Sequence, residues 1–156
     1  ERVLTLQEKM AKDVMTPRTV IFSLNQQLTL SEAVKAAGRW EHSRIPVFDK
    51  SPEDVVGIVH TKDILVALAG EQREDHLANL MRPIHFVADS ARLNMVLGEF
   101  LELKRHLFAV IDEYGGLAGL ISLEDILEEI LGREIVDESD EVADKQELAR
   151  KHRVTN

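Results

Sequence analysis

LFAVIDEYGGLAGLISLEDILEEIL, residues 107–131, reads as strand, turn, strand, helix. Residues 107–112 are a short apolar run ending in an acid, and residues 117–121 form a second run of buried-strand length. Between them, Asp112-Glu113-Tyr114-Gly115-Gly116 has turn chemistry, because glycine supplies the positive φ that tight connections need. Ser122-x-x-Asp125 then opens a helix whose apolar residues Ile126, Leu127, Ile130 and Leu131 fall three and four apart.

A weaker copy lies upstream: RIPVFD (44–49), the polar turn KSPED (50–54), VVGIVH (55–60) and TKDILVAL (61–68). Gly57 matches Gly119, Asp63 matches Asp125, and Ile64-Leu65 match Ile126-Leu127, all at an offset of 62. Further upstream, Val14-Met15-Thr16-Pro17 matches Leu80-Met81-Arg82-Pro83 at an offset of 66. The chain is therefore two copies of one unit.

Both copies read as β-α-β-β-α, which makes the chain α+β. Thr19 to Ser23 (TVIFS), β-branched and aromatic, is expected to be the first strand. A polar turn over residues 25–29 follows, then a helix through Leu30, Ala33, Val34 and Ala37, closed at Gly38 or running on to Trp40. In the second copy, residues 84–88 are a strand, and Leu93, Val96, Leu97, Phe100 and Leu101 share a helix face. The units are set at residues 14–69 and 80–132, joined by a charged link over 70–79. Residues 1–13 are expected to lead in from a preceding domain. Gly132 is expected to end the last helix, leaving an acidic, then mixed-charge, solvated tail over 133–156. One unit of about 60 residues buries only a marginal core. The two are therefore expected to pack sheet to sheet as a pseudo-two-fold pair.

Composition narrows the function. The 156 residues carry 19 Lys and Arg against 28 Asp and Glu, a net charge of −9, and the basic residues read as scattered rather than gathered in a patch. Electrostatic binding to nucleic acid is disfavoured on that balance, and no nucleic-acid partner is expected. No apolar stretch approaches the ~20 residues of a membrane helix. The absence of cysteine excludes disulfides and thiol catalysis and suits a reducing compartment.

Ser122 and Asp125 have two compatible readings. They form a capping box, the hydroxyl accepting from a first-turn amide and the carboxylate sitting at the positive helix end. That same helix start attracts phosphate, while an acid there accepts hydrogen bonds from ribose hydroxyls. The upstream copy keeps the acid as Asp63 but replaces the serine with His60. Six histidines without an i,i+4 pair and without cysteine do not suggest zinc. The acidic run beginning at Glu124 reads first as a solvated face. Its second reading is a magnesium site on Glu128, Glu129 and Asp137, closed by a dimer partner. Gly115-Gly116 lacks the lysine of a phosphate loop, and no nucleophile–base pair stands at a recognisable spacing, so no enzyme is expected.

VMTPR (14–18), HSRIPVFD (42–49), GIVHTKDIL (57–65), LMRP (80–83) and AVIDEYGGLAGLISLEDILEEILG (109–132) together resemble a tandem pair of CBS domains, a Bateman module. The last block is similar to the CorC/CNNM family of magnesium and cobalt transport proteins. The resemblance implies a cytosolic regulatory module that follows a transmembrane domain, dimerises as a flat disc, and binds ATP or AMP, with or without magnesium. It implies a nucleotide site on Thr16, Ser43, Arg44, Ile45, Pro46, Ser122 and Asp125. There Asp125 holds the ribose, Ser122 and Thr16 reach phosphate oxygens, backbone near Ile45 and Pro46 flanks the base, and Arg44 neutralises phosphate. The other cleft, with Asp63 but His60 in place of Ser or Thr, is expected to be the weaker. The alternatives are a ligand-free dimerisation scaffold and a magnesium-sensing acidic interface.

Overall fold

The computed structural model describes residues 6–37 and 41–138, with residues 133–138 described by backbone alone. The helix closure expected at Gly38 or Trp40, and the tail beyond residue 138, lie outside the described residues. In chain order the elements are α1 Ala11–Val14, β1 Thr16–Pro17, β2 Leu24–Asn25, α2 Leu30–Ala37, β3 Arg44–Phe48, β4 Val55–His60 and α3 Thr61–Ala69. The second copy continues with β5 His85–Ala88, α4 Leu93–Leu103, β6 Leu107–Ile111, β7 Leu117–Ser122 and α5 Leu123–Glu138. Short 3-10 turns occupy Arg18–Val20 and Leu77–Leu80. Both copies are β-α-β-β-α, as the repeat required.

The two sheets have strand orders β2-β3-β4 and β1-β7-β6-β5. In each copy the outer strand runs parallel to its neighbour across a helical crossover, and the next pair is an antiparallel hairpin. The second hairpin turns on Asp112, whose carboxylate accepts from the Tyr114 and Gly116 amides, each at 2.9 Å. Of the paired glycines only Gly115, at φ 83°, uses the left-handed region. Gly116 is confined for another reason: a Cβ there would approach the Asp112 carboxylate within 3.3 Å.

Each copy has its own core. Leu24, Leu30, Ile45, Val47, Val59, Ile64 and Leu77 fill the first. Val87, Leu93, Val96, Phe100, Phe108, Val110, Ile121 and Ile126 fill the second, where the Phe100 and Phe108 rings stack at 3.8 Å. Val55, Ile58, Ile84, Ala109 and Leu117 form a third cluster where the two sheets meet.

The segments that lead into each copy do not stay with it. Residues 6–13, within the expected lead-in over 1–13, place Leu6 and Ala11 in the second core, and β1 pairs antiparallel with β7. In the same way Leu77, inside the expected link, is fully buried in the first core. Arg82 then exchanges backbone hydrogen bonds with Ile58 on β4, at 2.9 and 2.7 Å. Each copy is thus closed by a segment belonging in sequence to the other. These crossings account for the glycines that recur at an offset of 62. A Cβ on Gly119 would collide with the Thr16 carbonyl oxygen, and one on Gly57 would lie 2.7 Å from the Arg82 carbonyl oxygen.

Two expectations fail. The strand over Thr19–Ser23 does not form. Residues 18–20 turn, residues 21–23 run unpaired, and pairing with β3 begins only at Leu24, whose side chain enters the first core. Val20 and Phe22 are therefore exposed rather than buried in a sheet. The last helix also continues through Gly132 to Glu138. Glycine inside a helix costs about 1 kcal/mol, too little to stop a helix continued by good formers.

Glycine substitutions separate the crossings from ordinary helix propensity. Gly119→Ala and Gly57→Ala are each expected to lower unfolding free energy by about 1–3 kcal/mol through overpacking. Gly98→Ala, on an open face of α4 where a Cβ meets nothing within 4 Å, should raise it by about 0.5–1 kcal/mol. Urea denaturation of the three variants checks both signs.

Candidate functional site

Two clefts flank the sheet-to-sheet contact, one for each crossing. The first has a volume of about 210 Å³. Its polar lining is Thr16 from β1, His42 and Arg44 at the start of β3, and Ser122 and Asp125 at the β7–α5 junction. Its apolar wall is Val20, Ile21 and Phe22 with Pro46, Leu107 and Leu120. The wall exists because residues 18–22 turn away instead of joining the sheet.

Ser122 and Asp125 form a reciprocal capping box. The Asp125 amide donates to Ser122 Oγ at 3.1 Å, and the Ser122 amide donates to Asp125 Oδ2 at 2.9 Å. The box fixes both side chains at the helix start. It leaves Asp125 Oδ1 without a partner among the described residues and the Ser122 hydroxyl proton free to be donated. The cleft therefore offers an oriented carboxylate oxygen, two hydroxyls, one guanidinium and an apolar wall, a donor set that fits a nucleoside with its phosphate.

Of the residues expected here, Thr16, Arg44, Pro46, Ser122 and Asp125 are brought together around this cleft. Ile45 is not among its lining; its side chain is 2% exposed and lies in the first core. Ser43 is exposed and does not line the cleft, and its carbonyl accepts from the Thr61 amide at 3.0 Å. Sequence reasoning missed Val20, Ile21 and Phe22, because it assigned them to a strand.

The second cleft is larger, about 300 Å³, and differs in character. Arg82 occupies the position equivalent to Thr16. Its Nε and Nη2 donate to Asp63 Oδ2 at 3.1 and 2.8 Å, so the acid equivalent to Asp125 is held in an ion pair. His60 precedes α3 without capping it. Burial, then the charges of Arg82 and Arg44, hold the His60 pKa below its ordinary value. The offset of 66 had placed Arg82 opposite Thr16. That signal was legible, but the weakness of this cleft was attributed to His60 alone.

Among the described residues no three His, Cys, Asp or Glu side chains converge on a common metal position. Glu129 pairs with Lys9 at 2.6 Å, and the Asp137 side chain lies outside the described part.

The CBS domain family model matches residues 11–70 and 77–132. The chain belongs to the CBS domain family, as a tandem pair of the CNNM/CorC type. It is similar, with a TM-score of 0.80 and 32% identity over 84% of this chain and 93% of the other, to the structure of the CBS domain of the bacterial CNNM/CorC family Mg²⁺ transporter in complex with ATP. A CBS-domain pair with bound AMP from Klebsiella pneumoniae superposes with a TM-score of 0.68 at 28% identity, over 78% of this chain and 98% of that one. In sequence the chain is 35% identical to the magnesium and cobalt efflux protein CorC of Vibrio cholerae, over 93% of this chain and 50% of that protein. It is 44% identical to a UPF0053 protein of Synechocystis sp., over 98% of this chain and 44% of that protein. The chain spans about half the length of these curated relatives or less. No helix of the described residues is long and apolar enough to cross a membrane.

The lowered His60 pKa fixes a sign. The unfolded chain takes up a proton near pH 6.5 that the folded chain resists, so stability falls as pH drops below that value. His60→Gln should lose less stability than the parent between pH 7.5 and pH 5.5. Urea midpoints that move in parallel over that window would refute the assignment.

Proposed function

We propose that this CBS pair binds an adenine nucleotide in the first cleft and so regulates a magnesium or cobalt transport protein of which it is the cytosolic part. The observation that carries the reading is Asp125. Its capping box orients the carboxylate while leaving Oδ1 open, beside two hydroxyls and an apolar wall. Asp125 accepts from ribose hydroxyls, Ser122 and Thr16 donate to phosphate oxygens, and the base lies against Phe22, Ile21 and Pro46. Arg44 neutralises phosphate charge, with or without magnesium on the nucleotide. Ile45 contributes through its backbone and Ser43 remains at the margin. The ATP and AMP bound in the similar structures support the ligand class. Regulation follows from linkage: the nucleotide shifts the module between shapes only by its difference in affinity for them. In this reading the module binds nucleotide as a sensor and does not turn it over.

Calorimetric titration of ATP and AMP, each with and without magnesium, should give saturable binding. Asp125→Asn, which keeps the size of the side chain, should weaken it by about 100-fold, as expected when a charged acceptor of hydrogen bonds is lost. Unchanged affinity in a folded variant would overturn the site.

A second reading, association of two copies, has its own observation. Leu65 and Val66 on α3 and Leu127 and Leu131 on α5 are each at least 42% exposed, and Leu65 and Leu127 are repeat equivalents. Two helices presenting apolar residues at equivalent places suit a symmetric partner. The doubly charged variant Leu65→Glu/Leu127→Glu should sediment as a monomer where the parent sediments as a dimer. A parent that is monomeric at high concentration would remove this reading.

A further inference from the structure

The second cleft concentrates positive charge in a chain whose net charge is −9. Six cationic or titratable side chains line it: Arg44, His60, Arg82, Lys104, Arg105 and His106. Alignment by strand register shows where the charge comes from. Arg44 faces His60 across the first hairpin as Leu107 faces Ser122 across the second. On that correspondence Arg105 stands where the first cleft has His42, Arg82 where it has Thr16, and His60 where it has Ser122, while His106 matches Ser43, which lies outside the first cleft. The second cleft has gained the more cations, although Leu107 there stands where the first cleft has Arg44.

The charges are held in place. Arg105 Nη1 donates to the Pro83 carbonyl at 2.6 Å, and Arg82 is fixed by Asp63. Lys104 caps α4 in the left-handed conformation, at φ 54° and ψ 44°, which sets its side chain at the cleft. Arg44 and Lys104 have no hydrogen-bond or ion-pair partner among the described residues. Asp63 and Glu124, the latter 3.4 Å from His106 Nδ1, are the acids contacting the set, against four permanent cations. Mutual repulsion among these groups is relieved by an anion, and His60 is already disfavoured as a cation by burial and then by the two arginines beside it.

The cleft is unsuited to a nucleoside. Its ribose-type acid is occupied by Arg82, and no counterpart of the Val20-Ile21-Phe22 wall lines it, because the equivalent stretch is the paired strand β5. Arginine forks and lysine are the side chains that hold phosphate. We propose that this second cleft is a phosphoanion site, taking a compact di- or triphosphate group without a base. Two sources share that chemistry: a free inorganic polyphosphate, or the phosphate tail of a nucleotide seated in the first cleft and reaching across Arg44, which lines both.

The test uses inorganic pyrophosphate, so it stands whether or not a nucleotide binds. Calorimetric titration into the parent chain should show saturable, salt-sensitive binding. Lys104→Gln and Arg82→Gln should each weaken it by about tenfold, the scale of one charge-assisted hydrogen bond. Lys104→Gln should leave AMP affinity unaltered, and Asp125→Asn should leave pyrophosphate affinity unaltered. Loss of pyrophosphate affinity in Asp125→Asn alone would put the anion in the first cleft and overturn the proposal. So would the absence of any pyrophosphate binding, or binding indifferent to both cation variants. Saturating pyrophosphate should weaken ATP if the tail shares the cleft, and leave ATP unaffected if the site serves a free anion. Either result supports an anion site at Lys104 and Arg82, once those variants have weakened pyrophosphate.

Discussion

The exchange of lead segments between the two copies is the constraint on which the rest depends. The Thr16–Pro17 strand lies along β7 and Arg82 bridges to β4, so neither sheet is finished by its own sequence unit. Backbone can approach that closely only where the strand beneath has no Cβ, which is why Gly57 and Gly119 recur. The shared cluster of Val55, Ile58, Ile84, Ala109 and Leu117 lies between the sheets that these segments close. Two marginal units become one module by exchanging edges.

The clefts are a consequence of the same exchange. Each forms where a crossing residue meets a helix start carrying an acid, so the residue at the crossing decides what the acid can do. Threonine at position 16 leaves Asp125 Oδ1 open. Arginine at position 82 consumes the Asp63 carboxylate and brings a charge of its own. One position in a repeat thus separates a cleft whose acid keeps an open oxygen from a cleft whose acid is ion-paired. Duplication supplies two equivalent places, and divergence at a few side chains gives them different chemistry. Arg44 lies between them and lines both.

The capping box at the start of α5 illustrates how structural and binding roles coexist. The amides of Ser122 and Asp125 use one oxygen of each side chain. A carboxylate has a second oxygen and a hydroxyl has a proton, so the cap does not exhaust them. Rigidity gained from capping leaves these groups oriented in advance, which is what preorganisation for a ligand requires. His60 does not repeat this arrangement on α3; the helix begins there without a side-chain cap.

The sequence by itself determined the duplicated β-α-β-β-α unit, the hairpin turn on Asp112, the helix over Leu30–Ala37 and the Ser122/Asp125 box. All of these are local, set by apolar periodicity and by side chains bonding to backbone two to four residues away. It also offered Asp125, Thr16 and Arg44 as candidate site residues through recurrence and resemblance, and the structure brings the three to one cleft. Tertiary structure alone decided that residues 6–15 and 77–82 cross to the opposite unit, because apolar residues such as Leu6 and Leu77 carry no sign of whose core they enter. It decided that Thr19–Ser23 turns away from the sheet, where β propensity was overruled by pairing that begins at Leu24. It decided that Ile45 points into a core and that four separate stretches of chain bring cations to one cleft. Charge at a point in space is a sum over elements distant in sequence, and no local pattern records that sum.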